Sequence, residues 1–229
     1  MRTALPMLMG LGLLAIAPMQ AQAGGADILK SQCSACHALS KPASVTIDDL
    51  WTRKAPDLWY AGDKFNKDWL VAWLQNPTRI RPAGYPYFKN VVEGKAHDEI
   101  DASKLKPHMH LAKADAEAVA DALMALKPEG IVQKGIYKGG SVNMRMGAMT
   151  FNKFRGCVAC HKAADGKGGF SAAELTDAGK RLQPDYIASF IKDPQKIDPH
   201  IWMPTLAMND HSIQLLTGYL IKLSAQEKK

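Results

Sequence analysis

Apolar residues recur at helical spacing in four stretches of the chain. Residues 68–75 and 185–192 each carry them along one face, and each run stops before a proline, Pro77 or Pro194, which cannot continue a helix. Residues 115–126 align Val119, Ala122, Leu123 and Leu126. Residues 211–223 do the same with Ile213, Leu216, Leu220 and Leu223, and Asn209 or Asp210 stands ready as the N-cap. No stretch alternates apolar and polar residues convincingly, so the pattern predicts helices and no sheet. At the start, residues 4–17 are apolar or small with Pro6 among them, after a positive Arg2. Ala21-Gln22-Ala23 follows as a small-x-small cleavage pattern. Residues 1–23 are expected to be a secretory signal peptide cut after Ala23, since the run is short for a bilayer span. No integral membrane segment is expected after cleavage.

The pattern also repeats. Ala55-Pro56-Asp57-Leu58 lies over Ala172-Ala173-Glu174-Leu175 at an offset of 117. At the same offset Ala61-Gly62 meets Ala178-Gly179, Asp68-Trp69-Leu70 meets Asp185-Tyr186-Ile187, and Pro77, Ile80 and Pro82 meet Pro194, Ile197 and Pro199. A period this long suits two domains rather than a solenoid. The expected division is a first domain at 24–128, a Gly- and Pro-punctuated linker at 129–142 and a second domain at 143–229.

Composition narrows the field. With 47% hydrophobic and 22% charged residues, wholesale disorder is excluded. The formal net charge is +7, or +6 without Arg2, and of that residues 24–128 hold +1 and residues 129–229 hold +5. The bases form no continuous run, so no nucleic-acid partner is expected. A basic rim from Lys153, Arg155 and Lys162, with Lys180 and Arg181 later, would steer an acidic protein partner.

The four cysteines carry the chemistry. They stand as Cys33-Ser34-Ala35-Cys36-His37 and Cys157-Val158-Ala159-Cys160-His161. Cys-x-x-Cys-His is the attachment pattern of c-type haem. The spacing puts both thiols within about one helical turn, so they can add to one edge of a porphyrin, and the histidine follows as proximal iron ligand. A dithiol redox site would need a βαβ context that is not visible, and a zinc site made from the four cysteines would leave both histidines unexplained. Two covalently bound haem c groups are therefore expected, on Cys33, Cys36, Cys157 and Cys160, with His37 and His161 proximal.

On these motifs and the repeat, the chain resembles the dihaem c-type cytochromes made of two fused class I-like domains. The resemblance implies an all-α fold of two tandem class I cytochrome c-like domains, each wrapped around one haem. It implies terminal helices that cross beside the haem, with Phe151 or Phe154 meeting Tyr219 in the second domain. It also implies a distal methionine in a Met-Pro context, which Met203-Pro204 matches, with Met208 and His200 as neighbouring competitors. The first domain departs from the family. Gly84-Tyr85-Pro86-Tyr87 stands where the second has Trp202-Met203-Pro204, an insertion at 88–106 containing Glu93, Asp98, Glu99 and Asp101 follows, and Pro107-His108-Met109-His110 comes just before the last helix. Met109 fits the family position, with His108 or His110 as alternatives. Pairing Asp115 with Asp210 sets His108 opposite Met203, so the register stays open. Met144, Met146 and Met149 read as packing residues, and Trp51, Trp59, Tyr60, Trp69 and Trp73 as packing around the first haem.

The expected function is single-electron transfer in a periplasmic respiratory or oxidative chain, between redox partner proteins such as a dehydrogenase and an oxidase or reductase, free or as a subunit of a larger complex. No general base or nucleophile stands out, so no enzyme is expected. The alternative is a dihaem peroxidase or sulfur-compound dehydrogenase with one haem left open.

Overall fold

The computed structural model describes residues 24–163 and 166–226. The expected signal peptide lies outside them. Among the described residues no helix is long and apolar enough to cross a membrane. The first half runs α1 (Gly25–Ile28), continued by a π-helical turn at Leu29–Cys33, then α2 (Ile47–Thr52), α3 (Ala61–Lys64), α4 (Lys67–Gln75) and α5 (Lys113–Met124). The second runs α6 (Met144–Met149), continued by a π-helical turn at Thr150–Phe154, then α7 (Ala178–Arg181), α8 (Pro184–Lys192), α9 (Pro194–Ile197) and α10 (Asp210–Gln226).

The offset of 117 read from the sequence holds residue for residue across α3 and α7 and across α4 and α8. Local chemistry sets the ends. Asp193 stops α8 and its carboxylate accepts from Lys196 N, starting α9. Asn209 Oδ1 accepts from Ser212 N at 2.9 Å, so Asn209 is the cap of α10. The opening helices are related by 121 rather than 124, so the second copy holds three extra residues before its first cysteine, and Gly156 there adopts a left-handed φ of 63°.

Each half packs its first helix against its last. A side chain at Gly25 would strike the Ala118 carbonyl on α5, and Gly147 on α6 lies under the Tyr219 ring of α10. Phe151 stands 5.9 Å from Tyr219, ring centre to ring centre, while Phe154 is exposed. Gly62 and its counterpart Gly179 touch the last helix too, against Met124 and Ile221. Around these crossings Val119, Leu123, Ile213, Leu216 and Leu220 are buried.

The chain does form a sheet, which the absence of alternation argued against. Val91–Val92 (β1) and Glu99–Ile100 (β2) pair antiparallel inside the insertion at 88–106. Strands of two residues are too short to leave a period in the sequence. Residues 129–142 are strapped down rather than loose. Gly135 N and Tyr137 N donate to the Asp185 carboxylate, Gln133 N to Ser189 Oγ and Lys138 N to Gln214 Oε1, so this segment lies on α8 and α10.

The halves meet through repeat-equivalent residues. Phe65 pairs with Leu182 in an antiparallel bridge, and Leu182 is its own counterpart at offset 117. Asn66 N donates to Arg181 O at 2.8 Å, and Gln183 N to Lys64 O at 2.9 Å. The Asn66 side chain reaches Lys180 O, and the Gln183 side chain reaches the carbonyls of Gly62 and Phe65. Lys64 lies over Tyr186 and Arg181 over Trp69, another reciprocal pair. Such exchange places a local two-fold axis through the Phe65–Leu182 bridge.

Candidate metal centres

The two Cys-x-x-Cys-His segments form the same turn. Cys36 N and His37 N both donate to Cys33 O, and Cys160 N and His161 N both donate to Cys157 O. Cys33 and Cys157 are half-buried, and Cys36 and Cys160 are exposed. Burial pushes the Cys33 and Cys157 thiols above the ordinary thiol range. All four cysteines are unbridged.

Each histidine is held from behind. His37 Nδ1 lies 2.7 Å from Pro56 O and His161 Nδ1 lies 2.7 Å from Ala173 O. Pro56 and Ala173 are counterparts at offset 117. A carbonyl only accepts, so Nδ1 carries the proton and the Nε2 lone pair is left for another partner. Burial lowers the pKa of both rings, against the opposing effect of these carbonyls, and favours the neutral form that a metal ligand requires.

The distal candidates fall at different places. In the first half, residues 105–112 form an extended segment ahead of α5, tied to α4 by Leu111 N donating to Leu74 O. His108 lies on that segment, with its ring centre 4.7 Å from that of Trp73 and 6.2 Å from that of His37. His108 is itself exposed, and Met109 beside it is 41% exposed, so exposure does not separate the two. His110 is exposed as well. In the second half Met203 is half-buried in the extended stretch between α9 and α10, and Met208 packs against the core. His200 turns to the other half, with Nδ1 2.8 Å from an Asp57 oxygen.

The aromatics divide into two groups. Phe65, Trp69 and Trp73 stack along α4 at successive centre-to-centre distances of 5.8 Å, ending on His108. Trp51 stands apart, packed edge-on against Phe88 and the exposed Trp202. Met144 packs against the core, while Met146 is exposed.

No family model, curated protein or solved structure matches the chain.

Sequence reasoning missed a buried charged network between the halves. Arg53 donates to Asp198 at 2.7 Å and to His200 O at 2.6 Å, and Tyr60 donates to the same Asp198 oxygen at 3.0 Å. Asp57 joins through His200 and lies 3.5 Å from Arg53. Asp57, Asp198 and His200 together have the donors of a cation site, but Arg53 already supplies the positive charge. Nothing local in the sequence links Arg53 to Asp198. One further signal concerns the fit of a haem. Trp59 Nε1 and Arg81 Nε are buried donors with no acceptor among the described protein groups. They suit an anionic ligand group such as a propionate carboxylate.

Proposed function

We propose that the protein is a dihaem c-type cytochrome that carries single electrons in the periplasm, with one covalently bound haem c in each of two class I-like halves. The observation that carries this reading is the doubled Cys-x-x-Cys-His turn, in which each part-buried histidine uses Nδ1 on a carbonyl at an equivalent position and keeps Nε2 free. A bound haem supplies a one-electron iron couple. The chain's own part is to hold and tune it. Cys33 with Cys36, and Cys157 with Cys160, anchor the porphyrin edges. His37 and His161 give a neutral, oriented nitrogen from one face. Met203 would offer a thioether in the second half, and Met109 or His108 would serve in the first. Trp59 Nε1 and Arg81 Nε offer donors to carboxylates. Carrier chemistry needs no general base, so the reading is of a carrier rather than an enzyme. The redox partners are proteins such as a dehydrogenase and an oxidase or reductase, and the basic second half favours an acidic face on one of them.

The test is production of the chain, with its first residues, in a host that exports proteins and attaches haem covalently. Denatured protein is expected to keep its colour and to carry the mass of two haems. A colourless product that binds zinc through its four cysteines would overturn the reading. Met203→Ala is expected to remove a methionine–iron charge-transfer band and lower the potential of one haem only.

A further inference from the structure

We infer that the first iron site is a bis-histidine centre, in which His108 stands opposite His37 and Met109 takes no part. This deepens the haem reading above and rests on it. The geometry comes from the chain itself. Two imidazoles that share one metal through opposed nitrogens have bonds of about 2 Å each, plus about 1 Å from each nitrogen to its ring centre. Their centres therefore stand about 6 Å apart. The His37 and His108 centres are 6.2 Å apart, with planes inclined at 59°, which rotation about a shared axis permits.

Both rings have the same nitrogen to spare. His108 Nδ1 lies 2.6 Å from Met109 O, as His37 Nδ1 does from Pro56 O at 2.7 Å, so each is protonated at Nδ1 and each keeps Nε2 as the coordinating atom. The Met109 backbone thus orients His108; both side chains are exposed, and the facing of the His108 and His37 rings is what distinguishes His108. His108 is also placed from below. Trp73, fixed by Nε1 donating to Thr78 O at 3.0 Å, packs against it, and Arg79 donates to Lys106 O at 3.1 Å to hold the approach. No comparable histidine serves the second half, where His200 is engaged by Asp57 and Met203 is the candidate.

The two centres would therefore differ in kind. An imidazole in place of a thioether lowers the potential, so the first centre is the weaker oxidant and the second the stronger. Electrons enter at the first half and leave from the second.

Near-infrared magnetic circular dichroism of the oxidised two-haem protein tests this directly, with a redox titration. The expected result is one bis-histidine band and one histidine–methionine band of equal weight, and two resolved potentials. Met109→Leu is expected to change neither, and His108→Ala to turn one haem high-spin and open it to carbon monoxide. His108→Met is expected to replace the bis-histidine band with a second histidine–methionine band. Two histidine–methionine bands in the unaltered protein, or loss of a methionine band in Met109→Leu, would overturn the assignment while leaving the two-haem reading intact. Absence of covalent haem would instead defeat that reading. The unaltered protein and Met109→Leu decide the matter even if His108→Ala does not fold.

Discussion

Lys64 shows how much one side chain can depend on its surroundings. Its ammonium lies over the rings of Phe65, Tyr60 and Tyr186, at 4.9, 5.4 and 5.7 Å from their centres. Burial pushes its pKa down to about 8 from an ordinary 10.5. Between those values the unfolded chain binds the proton more tightly than the folded one, so this residue's contribution to stability rises with pH across that window and is least favourable below it. The expected outcome is that the stability of the protein relative to Lys64→Met rises between pH 8 and pH 10. Denaturant unfolding at several pH values checks it, and parallel curves would contradict it. The residue scale is also where the sequence was least legible. Pro107-His108-Met109-His110 offers three candidate ligands of two types in adjacent positions. Only the folded path of the segment, fixed by Leu111 on Leu74, separates His108 from Met109. Arg53 and Asp198 were equally opaque, because a buried ion pair 145 residues apart leaves no local pattern.

At the scale of elements, much more could be read in advance. The starts of α4 and α8 fall one residue ahead of the periodic runs, and both helices end where those runs end. Helix α5 begins two residues early and ends two early, at Met124. The Ala-Gly pair shared by α3 and α7 was visible as a match, but its reason is tertiary. Backbone and last helix approach too closely there for any side chain. A Cβ at Gly179 would stand 2.6 Å from Ile221 Cα. Gly179→Ala and Gly62→Ala are each expected to cost about 1–3 kcal/mol, by forcing helices apart. A lowered unfolding midpoint for both variants, with haem content unchanged, is the measurement. The β1–β2 hairpin escaped notice for the opposite reason: it is an insertion with no counterpart at offset 117.

Across the whole molecule, the buried network and the seam hold the halves as a unit. Asp198 accepts from Arg53 and Tyr60 and caps His200 N, so its loss takes the nearer carboxylate from a buried guanidinium and leaves it only Asp57 at 3.5 Å. Asp198→Ala is expected to destabilise the protein by about 3–5 kcal/mol, while replacing Arg53 and Asp198 together with apolar residues should cost much less. Thermal unfolding of the single and double variants checks this. Equal loss in both would show that the pair is not the source of the effect.

The local two-fold axis at Phe65 and Leu182 has a further consequence for how the chain tolerates change. At the axis a residue answers to its own counterpart, so altering Asn66 disturbs carbonyls contributed by the opposite copy, and altering Gln183 does the same in return. Substitutions there act in twos. The segments ahead of the two last helices are held differently: residues 105–112 are tied to α4 by Leu111 N donating to Leu74 O, while His200, just before residues 201–209, turns to Asp57. A doubled scaffold of this kind keeps its frame even while the segments it carries drift apart in character.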